Sequence, residues 1–383
     1  MRVQGIQRGG INEVTFELLD DADQPIEAVS GFMRHLRARG YSPNTLSAYC
    51  YDLLHFSTFL KEQQLSYQDF TPQHAMAFLE YLSTLPSRKK AQRFGPVLTT
   101  TTEDGSSTTR LSPETLNRTF AAVSSFYEYL ILSGLFPERE NPIQKREDPT
   151  QLRVGERHRP FMGGASRQRP MRRVVHVKTV QRVPRPLDDN QVQKLLDSLK
   201  LRRDKAMILL MLHGGLRPGE VLNLQLSDVQ YGRKRVIIRY RTDHPKGART
   251  KSRVERIIDL HQPETLQAVS DYVMSERPTD TEVPYIFLVG GRGKRRHEPL
   301  GYQALVKLFE RHCERVGIRD YWVTPHALRH THATKLWEGG MRELALMKRL
   351  GHASPESTRI YTGVSDPQVV AEYQRALGKG EDV

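Results

Sequence analysis

Five residues in the second half of the chain have types and spacings suited to attacking a phosphodiester. Tyr361 follows His352 by nine residues, and Arg329 stands 23 residues before His352. His326 lies one helical turn before Arg329, and Arg217 occupies an isolated turn with the sequence GLRPGE. Two cations, two imidazoles and a phenol are a set that can cleave such a bond without a metal ion.

The two arginines can stabilise the negative charge that develops during the reaction. The transition state is a pentacovalent phosphorane with extra negative charge on its non-bridging oxygens, so positive donors must stand in place beforehand. Arginine suits this role because its planar fork binds two phosphate oxygens and stays protonated. Arg217 follows the glycines that end an apolar segment, and Arg329 shares a helix face with His326 at i−3. We therefore interpret Arg217 and Arg329 as the phosphate clamp.

A nucleophile and a proton donor complete the set. Nearby cations lower the pKa of a tyrosine and a histidine can take its proton, so Tyr361 would form a covalent phosphotyrosine. That ester keeps the energy of the broken bond, and religation needs no ATP. The departing 5′ oxygen needs a proton, for which Lys251, in a basic loop between two strands, is the candidate. Plausible substitutes are Lys246, Arg249 and Arg253.

Each residue alone has a more ordinary interpretation. Tyr361 would be a half-buried aromatic residue, and Lys251 a solvated loop charge. His326 and His330, at i and i+4, could suggest zinc together with His332. No Glu follows His326 and no carboxylate cluster supplies a further ligand, so we expect no metal and no other cofactor. The order and spacing of the whole set argue against coincidence.

Composition points to a polyanionic partner. The chain has 383 residues and a formal net charge of +14, which favours nucleic acid and predicts two domains. Its two cysteines, Cys50 and Cys313, match no metal spacing and fit a reducing cytosol. The polar N-terminus lacks an apolar signal core and no run is long enough to span a membrane, so we expect a soluble protein of the cytoplasm.

The first half of the chain predicts a small helical domain over residues 25–145, after an N-terminal extension of residues 1–24 in which 14–18 alternates like a strand. Four amphipathic helices are indicated, three of them opened by a serine or threonine cap followed by proline at Ser42, Thr71 and Ser112. A loop insertion at residues 84–110, rich in Thr, Ser and Lys/Arg, is either a disordered surface loop or a phosphate contact.

Residues 146–186 form a basic linker, and from Arg153 to Arg185 its ten cations face one acid, Glu156. A neutral tether would not need this bias, although a solvated tether remains the simpler alternative. Counterion release from each contacted phosphate would give salt-sensitive affinity for DNA. The predicted DNA-binding residues are Arg153, Arg157, Arg159, Arg167, Arg169, Arg172, Arg173, Lys178 and Arg182, with Arg185 at the end of the run.

Residues 187–383 predict a second domain, mostly helical with a small antiparallel sheet. Asp189 is expected to cap a helix, and a strongly apolar helix should follow at 206–212 and end at Gly214 and Gly215. The β-branched runs 236–238 and 256–258 predict paired strands. Further helices are predicted at about 263–276, 301–316, 326–338 and 342–350.

The order of these motifs resembles the tyrosine recombinases, the family that includes phage integrases and the recombinases that resolve chromosome dimers. The shared features are the arginine turn, the inter-strand lysine, the His-x-x-Arg and Leu-Gly-His boxes, and Tyr361. The resemblance implies that Arg217, Lys251, His326, Arg329 and His352 surround the phosphate, and that Glu220 orients these groups. The chain departs from the family in having Asp259 where proline is frequent, and in its long 84–110 insertion.

The resemblance also implies architecture and activity. We expect a two-domain clamp on duplex DNA, with a helical core-binding (SAM-like) domain and a mixed α+β catalytic domain, most similar to integrase-type transposases of site-specific transposons. The implied activity is site-specific recombination through a 3′-phosphotyrosine, for integration or transposition of a mobile element. Implied partners are specific core sites, a homo-tetramer on two DNA sites, and an accessory directionality factor. The segment 369–373 would dock on a neighbouring protomer or remain a frayed tail. The alternatives are a type IB topoisomerase and a non-catalytic DNA-binding protein.

Overall fold

The computed structural model describes residues 1–7, 14–87, 99–101, 107–136, 140–147, 171–179, 185–250, 254–352 and 358. The chain divides into two compact units, residues 1–181 and 182–383. No helix among these described residues is long and apolar enough to cross a membrane.

Four helices form the first unit at the places that the sequence predicts. They are α1 (Glu27–Ala38), α2 (Pro43–Glu62), α3 (Pro72–Thr84) and α4 (Pro113–Leu132). The side chains of Ser42 and Ser112 accept hydrogen bonds from the backbone N–H groups of Thr45 and Thr115, at 3.2 and 3.3 Å. The two serines that the sequence predicts as N-caps therefore cap α2 and α4 in the structure.

An aromatic core joins the four helices. The ring of Phe56 meets Phe70, Phe78 and Tyr127 edge-on, with centroids 5.0, 5.4 and 6.0 Å apart. The Tyr127 hydroxyl donates to the carbonyl of Tyr67 at 2.7 Å, so the buried phenol keeps a partner. Such edge-to-face pairs add specificity to simple burial.

A β-hairpin precedes the helices. Strand β1 (Arg2–Gln7) pairs antiparallel with β2 (Val14–Leu19), and Leu18 is fully buried in the helical core. The sequence indicates the second strand only. The first strand contains a glycine and few apolar residues, so its pairing partner, rather than its own pattern, holds it in place. Two short strands, β3 (Thr99–Thr101) and β4 (Ser107–Thr109), pair within the 84–110 insertion.

Part of the predicted linker packs on the helical unit. Strand β5 (Lys145–Glu147) pairs antiparallel with β6 (Met171–Arg173). Beyond β6, the side-chain amide of Asn117 donates to the carbonyl of Val177 and accepts from its N–H, both at 2.9 Å. Residues 171–179 are therefore fixed to α4 rather than solvated on all sides.

The second unit is mainly helical. Its helices are α5 (Asp189–Asp197), α6 (Arg202–His213), α7 (Pro218–Leu222), α8 (Pro263–Ser275), α9 (Tyr302–Arg315), α10 (Pro325–Glu338) and α11 (Glu343–Leu350). Helix α6 is buried from Ala206 to Leu212 and forms the centre of the core. The cap of α5 is Asp188 and not Asp189, because Asp188 accepts from the N–H of Gln191 at 2.7 Å.

A three-stranded antiparallel sheet lies beside these helices. Its order is β7 (Val229–Gln230), β8 (Arg235–Ile238) and β9 (Arg256–Asp259), with Val236 opposite Ile258. Along β9, Arg256 and Ile258 face inward, whereas Ile257 is half exposed. An arginine thus occupies an inward position of a core strand, which requires a buried partner.

Candidate active site

Arg217 is held at the junction of α6 and α7. Gly215 adopts a left-handed backbone with φ of +63°, and a Cβ there would lie 2.4 Å from the His332 ring. Pro218 then opens α7, and the buried Glu220 accepts from the Arg217 backbone N–H at 2.8 Å and from its Nη1 at 2.9 Å. The guanidinium therefore has a fixed position, with 18% of the side chain exposed.

Arg329, on α10, is almost fully buried. Its Nη1 donates to the carbonyl of Gly215 at 2.5 Å. Its Nη2 donates to the carbonyl of Leu350 at 2.6 Å and to Nε2 of His352 at 3.0 Å. One guanidinium therefore joins the Arg217 turn to the end of α11.

His352 follows the left-handed Gly351 that ends α11. Its Nδ1 lies 2.8 Å from the hydroxyl of the fully buried Thr358. Burial lowers the pKa of His352 to about 4, and the positive charges of Arg329, Arg217 and Arg256 act in the same direction. The imidazole is therefore neutral at physiological pH.

One carboxylate balances two of the arginines. Glu220 accepts from Nη1 and Nη2 of Arg256, at 3.0 and 2.7 Å, as well as from Arg217. Burial raises the pKa of Glu220, but the hydrogen bonds and charge of Arg256, with the charges of Arg217 and Arg329, outweigh burial and bring it to about 2. Glu220 therefore remains ionised, and it orients the two arginines.

The three histidines of α10 have different surroundings. His326 is half-buried in the first turn, three residues before Arg329. Burial lowers the pKa of His330 to about 4, with smaller effects from His326 and Arg329. Nε2 of the buried His332 accepts from Nε of Arg349 at 3.1 Å, and its ring packs on Gly215. His332 thus supports the Arg217 turn structurally.

Within the described ranges, no three His, Cys, Asp or Glu side chains group in a way that could hold a metal ion. Arginines and neutral imidazoles surround the site, and carbonyl oxygens and Glu220 compensate the positive charge. This arrangement can bind a phosphate oxyanion and stabilise charge that develops on it.

Two predicted catalytic residues, Lys251 and Tyr361, lie outside the described residues, as does Arg253. The loop before Lys251 reaches the Arg217 turn, because a Cβ on Gly219 would lie 2.5 Å from the carbonyl oxygen of Arg249. Lys246, a possible substitute, forms an ion pair with Glu298 at 2.6 Å.

The predicted DNA-binding residues are only partly described. Arg172 and Lys178 are exposed and Arg173 is half-buried, and all three belong to the segment that packs on the first unit. Nη2 of Arg172 lies 2.8 Å from Nδ1 of His176. The others, Arg153, Arg157, Arg159, Arg167, Arg169 and Arg182, lie outside the described residues.

The sequence is similar to a known transposase along its whole length. The model of the phage integrase family matches residues 185–367, and that of the phage integrase N-terminal SAM-like domain matches residues 29–93. Transposase A of transposon Tn554 from Staphylococcus aureus is 30% identical over 386 residues, which cover 100% of this chain and 99% of that protein. The chain belongs to the phage integrase family.

One further relative and one solved structure are also similar to this chain. The tyrosine recombinase XerC of Caldanaerobacter subterraneus is 27% identical over 90% of this integrase and 84% of its own length. The structure of the Tn1549 transposon integrase with transposon right-end DNA has a TM-score of 0.58 at 18% identity, covering 91% of this chain and 99% of that one. The latter shows that the two chains share a fold.

Family membership confirms three predictions: the tyrosine recombinase family, the mainly helical fold with small antiparallel sheets, and the site-specific recombinase of a mobile element. It disfavours the topoisomerase and the non-catalytic binding protein. As a member of this family, the integrase cleaves and rejoins DNA.

Sequence reasoning missed two residues of the site, Arg256 and Thr358. Arg256 leaves a signal, since it is charged at an inward position of the strand RIID. Thr358 leaves none, because its importance rests on a hydrogen bond to His352 that no local pattern encodes.

Proposed function

We propose that this integrase cleaves one strand of duplex DNA at a specific core site through Tyr361, without metal or ATP. The Tyr361 oxygen attacks phosphorus, the bond from phosphorus to the 5′ oxygen breaks, and a 3′-phosphotyrosine forms. The phenolic proton passes to a base and the 5′ oxygen receives a proton. Attack by a 5′ hydroxyl of a second DNA reverses the step and rejoins the strand, so the number of phosphodiester bonds is conserved.

The observation that carries this proposal is the cluster of Arg217, Arg329 and His352 around Glu220. Arg217 and Arg329 are buried or nearly so, and they are held by carbonyl oxygens and Glu220 before any substrate arrives. Preorganised cations of this kind stabilise the charge of the phosphorane without reorganisation during the reaction. Arg217 keeps an exposed edge through which a phosphate can reach it.

The remaining roles follow from proton demand. Lys251 protonates the leaving 5′ oxygen, and His326 assists proton removal from Tyr361. Neutral His352 acts at the phosphate through Arg329, whose Nη2 it holds in place. Glu220 does not touch the substrate, since its oxygens are occupied by Arg217 and Arg256. These assignments rest on family likeness together with the positions of the described residues.

Both domains contact the duplex. Residues 25–145 and the linker 146–186 hold one side of the duplex, and residues 187–383 the other, with residues 1–24 as an extension. The net charge of +14 and the exposed Arg146, Arg172 and Lys178 support phosphate contacts. The acting form is a tetramer on two core sites in the bacterial cytosol, with an accessory protein setting direction.

Covalent trapping tests the proposal. The substrate is DNA from the junction of the mobile element that carries this gene, nicked near the core site so that the cleaved fragment diffuses away. Wild type is expected to form a protein–DNA adduct on a denaturing gel, and Tyr361→Phe none. Tyr302→Phe, which removes a phenol at the start of α9, is the matched control and should trap DNA like wild type. An adduct with Tyr361→Phe, or none with wild type on any junction fragment, contradicts the proposal.

A further inference from the structure

Arg256 is a buried arginine at the start of β9, with only 7% of its side chain exposed. Nη1 and Nη2 donate to the two carboxylate oxygens of Glu220, and Nε donates to the carbonyl of Arg349 at 3.0 Å. All three nitrogens of the guanidinium are thus engaged by the protein. Such a bidentate pair fixes both partners more firmly than a single contact does.

The Arg349 contact belongs to a series at the end of α11. Three successive backbone carbonyls there accept hydrogen bonds from three arginines. The carbonyl of Arg349 accepts from Arg256 at 3.0 Å, and the carbonyl of Leu350 accepts from Arg329 at 2.6 Å. The carbonyl of Gly351 accepts from Arg217 at 3.3 Å. Carbonyls at a helix C-terminus lack partners within the helix and carry partial negative charge, so cations stabilise them. His352 is the next residue.

Glu220 connects two of these arginines, Arg217 and Arg256, on their other side. Its Oε1 accepts from Nη1 of both Arg217 and Arg256, and its Oε2 accepts from the Arg217 backbone and from Nη2 of Arg256. A displaced Arg256 would leave Glu220 free to turn, and the Arg217 guanidinium would turn with it. The two catalytic groups on either side, Arg217 and His352, therefore depend on Arg256.

Gly351 shows how closely this contact is packed. A Cβ at that position would lie 2.8 Å from Nη1 of Arg256, and the backbone there has φ of +64°. A side chain at position 351 would push the guanidinium away from Glu220.

We propose that Arg256 is a positioning residue, which sets the Arg217 guanidinium through Glu220 and the His352 imidazole through the end of α11. It rests on the proposed function, because the positioned groups are those that bind the phosphate. Arg256 itself does not bind the DNA, since its donors face the protein. The role predicts a defect in the cleavage step rather than in DNA affinity.

The first experiment compares Arg256→Lys with Arg277→Lys. Arg277 lies in the same unit and is equally buried, since each of the two residues, counted with its backbone, is 9% exposed. The Arg277 guanidinium donates to the carbonyls of Val283 and Tyr285. Arg256→Lys should slow single-turnover adduct formation about 10–100-fold at saturating DNA, as expected for small misplacements of catalytic groups. Its Kd for the nicked substrate should stay within about twofold of wild type. Arg277→Lys should lower the thermal midpoint and leave the cleavage rate unchanged.

The second experiment asks whether Arg256 acts through Glu220. If it does, the double variant Glu220→Gln, Arg256→Lys should cleave about as slowly as the slower single variant. The effects of two substitutions on the cleavage rate do not add when both residues act through the same contact. A double variant whose cleavage rate falls by the product of the two single losses contradicts the proposal. Cleavage by Arg256→Lys at the wild-type rate also contradicts it, as does an equal loss of cleavage rate in Arg277→Lys. If Arg256→Lys does not fold, Gly351→Ala displaces the same guanidinium and must slow cleavage. Absence of any adduct with wild type counts against the proposed function instead.

Discussion

Nη2 of Arg329 donates a hydrogen bond to Nε2 of His352 across 3.0 Å. An arginine can only donate, so Nε2 must be the unprotonated nitrogen and the proton lies on Nδ1. Nδ1 then donates to the hydroxyl of Thr358 at 2.8 Å. The hydrogen-bond network thus selects one neutral tautomer of His352, in agreement with the direction in which burial shifts its pKa.

His352 should titrate far below an ordinary histidine in the free protein. Burial and the adjacent arginines lower its pKa from 6.5 to about 4. An imidazole NMR titration, assigned with His352→Gln, should show a midpoint below about pH 5. A midpoint near 6.5 contradicts the neutral, buried state.

The same shift affects stability in a defined direction. The folded pKa of His352 lies below the unfolded one, so protons bind the unfolded chain more readily. Its stabilising contribution is complete above pH 6.5 and is lost as the pH falls from 6.5 through about 4. The difference in thermal midpoint between wild type and His352→Gln should therefore change over this window and not above it.

Thr358→Val should slow DNA cleavage about tenfold. The substitution keeps the volume of a fully buried side chain and removes the acceptor for His352 Nδ1. A hydrogen bond contributes about 1–1.5 kcal/mol, and about 1.4 kcal/mol is tenfold in rate. Single-turnover adduct formation measures the effect. Thr358→Ser retains the hydroxyl and should cleave near the wild-type rate, and equal rates for the valine and serine variants would exclude the contact.

Gly351→Ala should be more harmful than Gly317→Ala. Both glycines have a left-handed backbone, with φ of +64° and +71°, so alanine costs about 1–2 kcal/mol at either site. Only the Cβ at position 351 meets a neighbour, Arg256, since nothing lies within 4 Å of the one at position 317. Thermal unfolding should show a larger loss for Gly351→Ala, and cleavage should slow in that variant alone. Equal losses of stability and of cleavage rate in the two variants would mean that Arg256 can shift without any effect on folding or catalysis.

Lys251→Ala should slow cleavage about 10²–10⁴-fold on ordinary DNA, the range for loss of a general acid. Replacing the leaving 5′ oxygen with sulfur should restore the rate, because a thiolate departs without a proton. Lys246→Ala is the control, since the ion pair with Glu298 occupies that lysine. Rescue of Lys246→Ala instead would transfer the role to Lys246.

The order of chemical groups could be predicted from the sequence alone. Phosphoryl transfer demands particular residue types, and the amino-acid sequence itself shows the spacings of Arg217, His326, Arg329, His352 and Tyr361. Helix starts were equally clear at Ser42 and Ser112, because a cap and its proline act within one turn. Local interactions of this kind are written in contiguous residues.

Tertiary structure alone decided how these groups are held. Arg256 is separated from Glu220 by 36 residues and from Arg349 by 93, and no pattern in β9 specifies either partner. The same holds for the docking of Val177 on Asn117, 60 residues apart. Buried polar groups must find hydrogen-bond partners, but which distant atoms meet depends on how helices and sheet pack. The sequence therefore predicted the chemistry that we propose for this integrase, and the packing of its second unit determined the positions of Arg217 and His352.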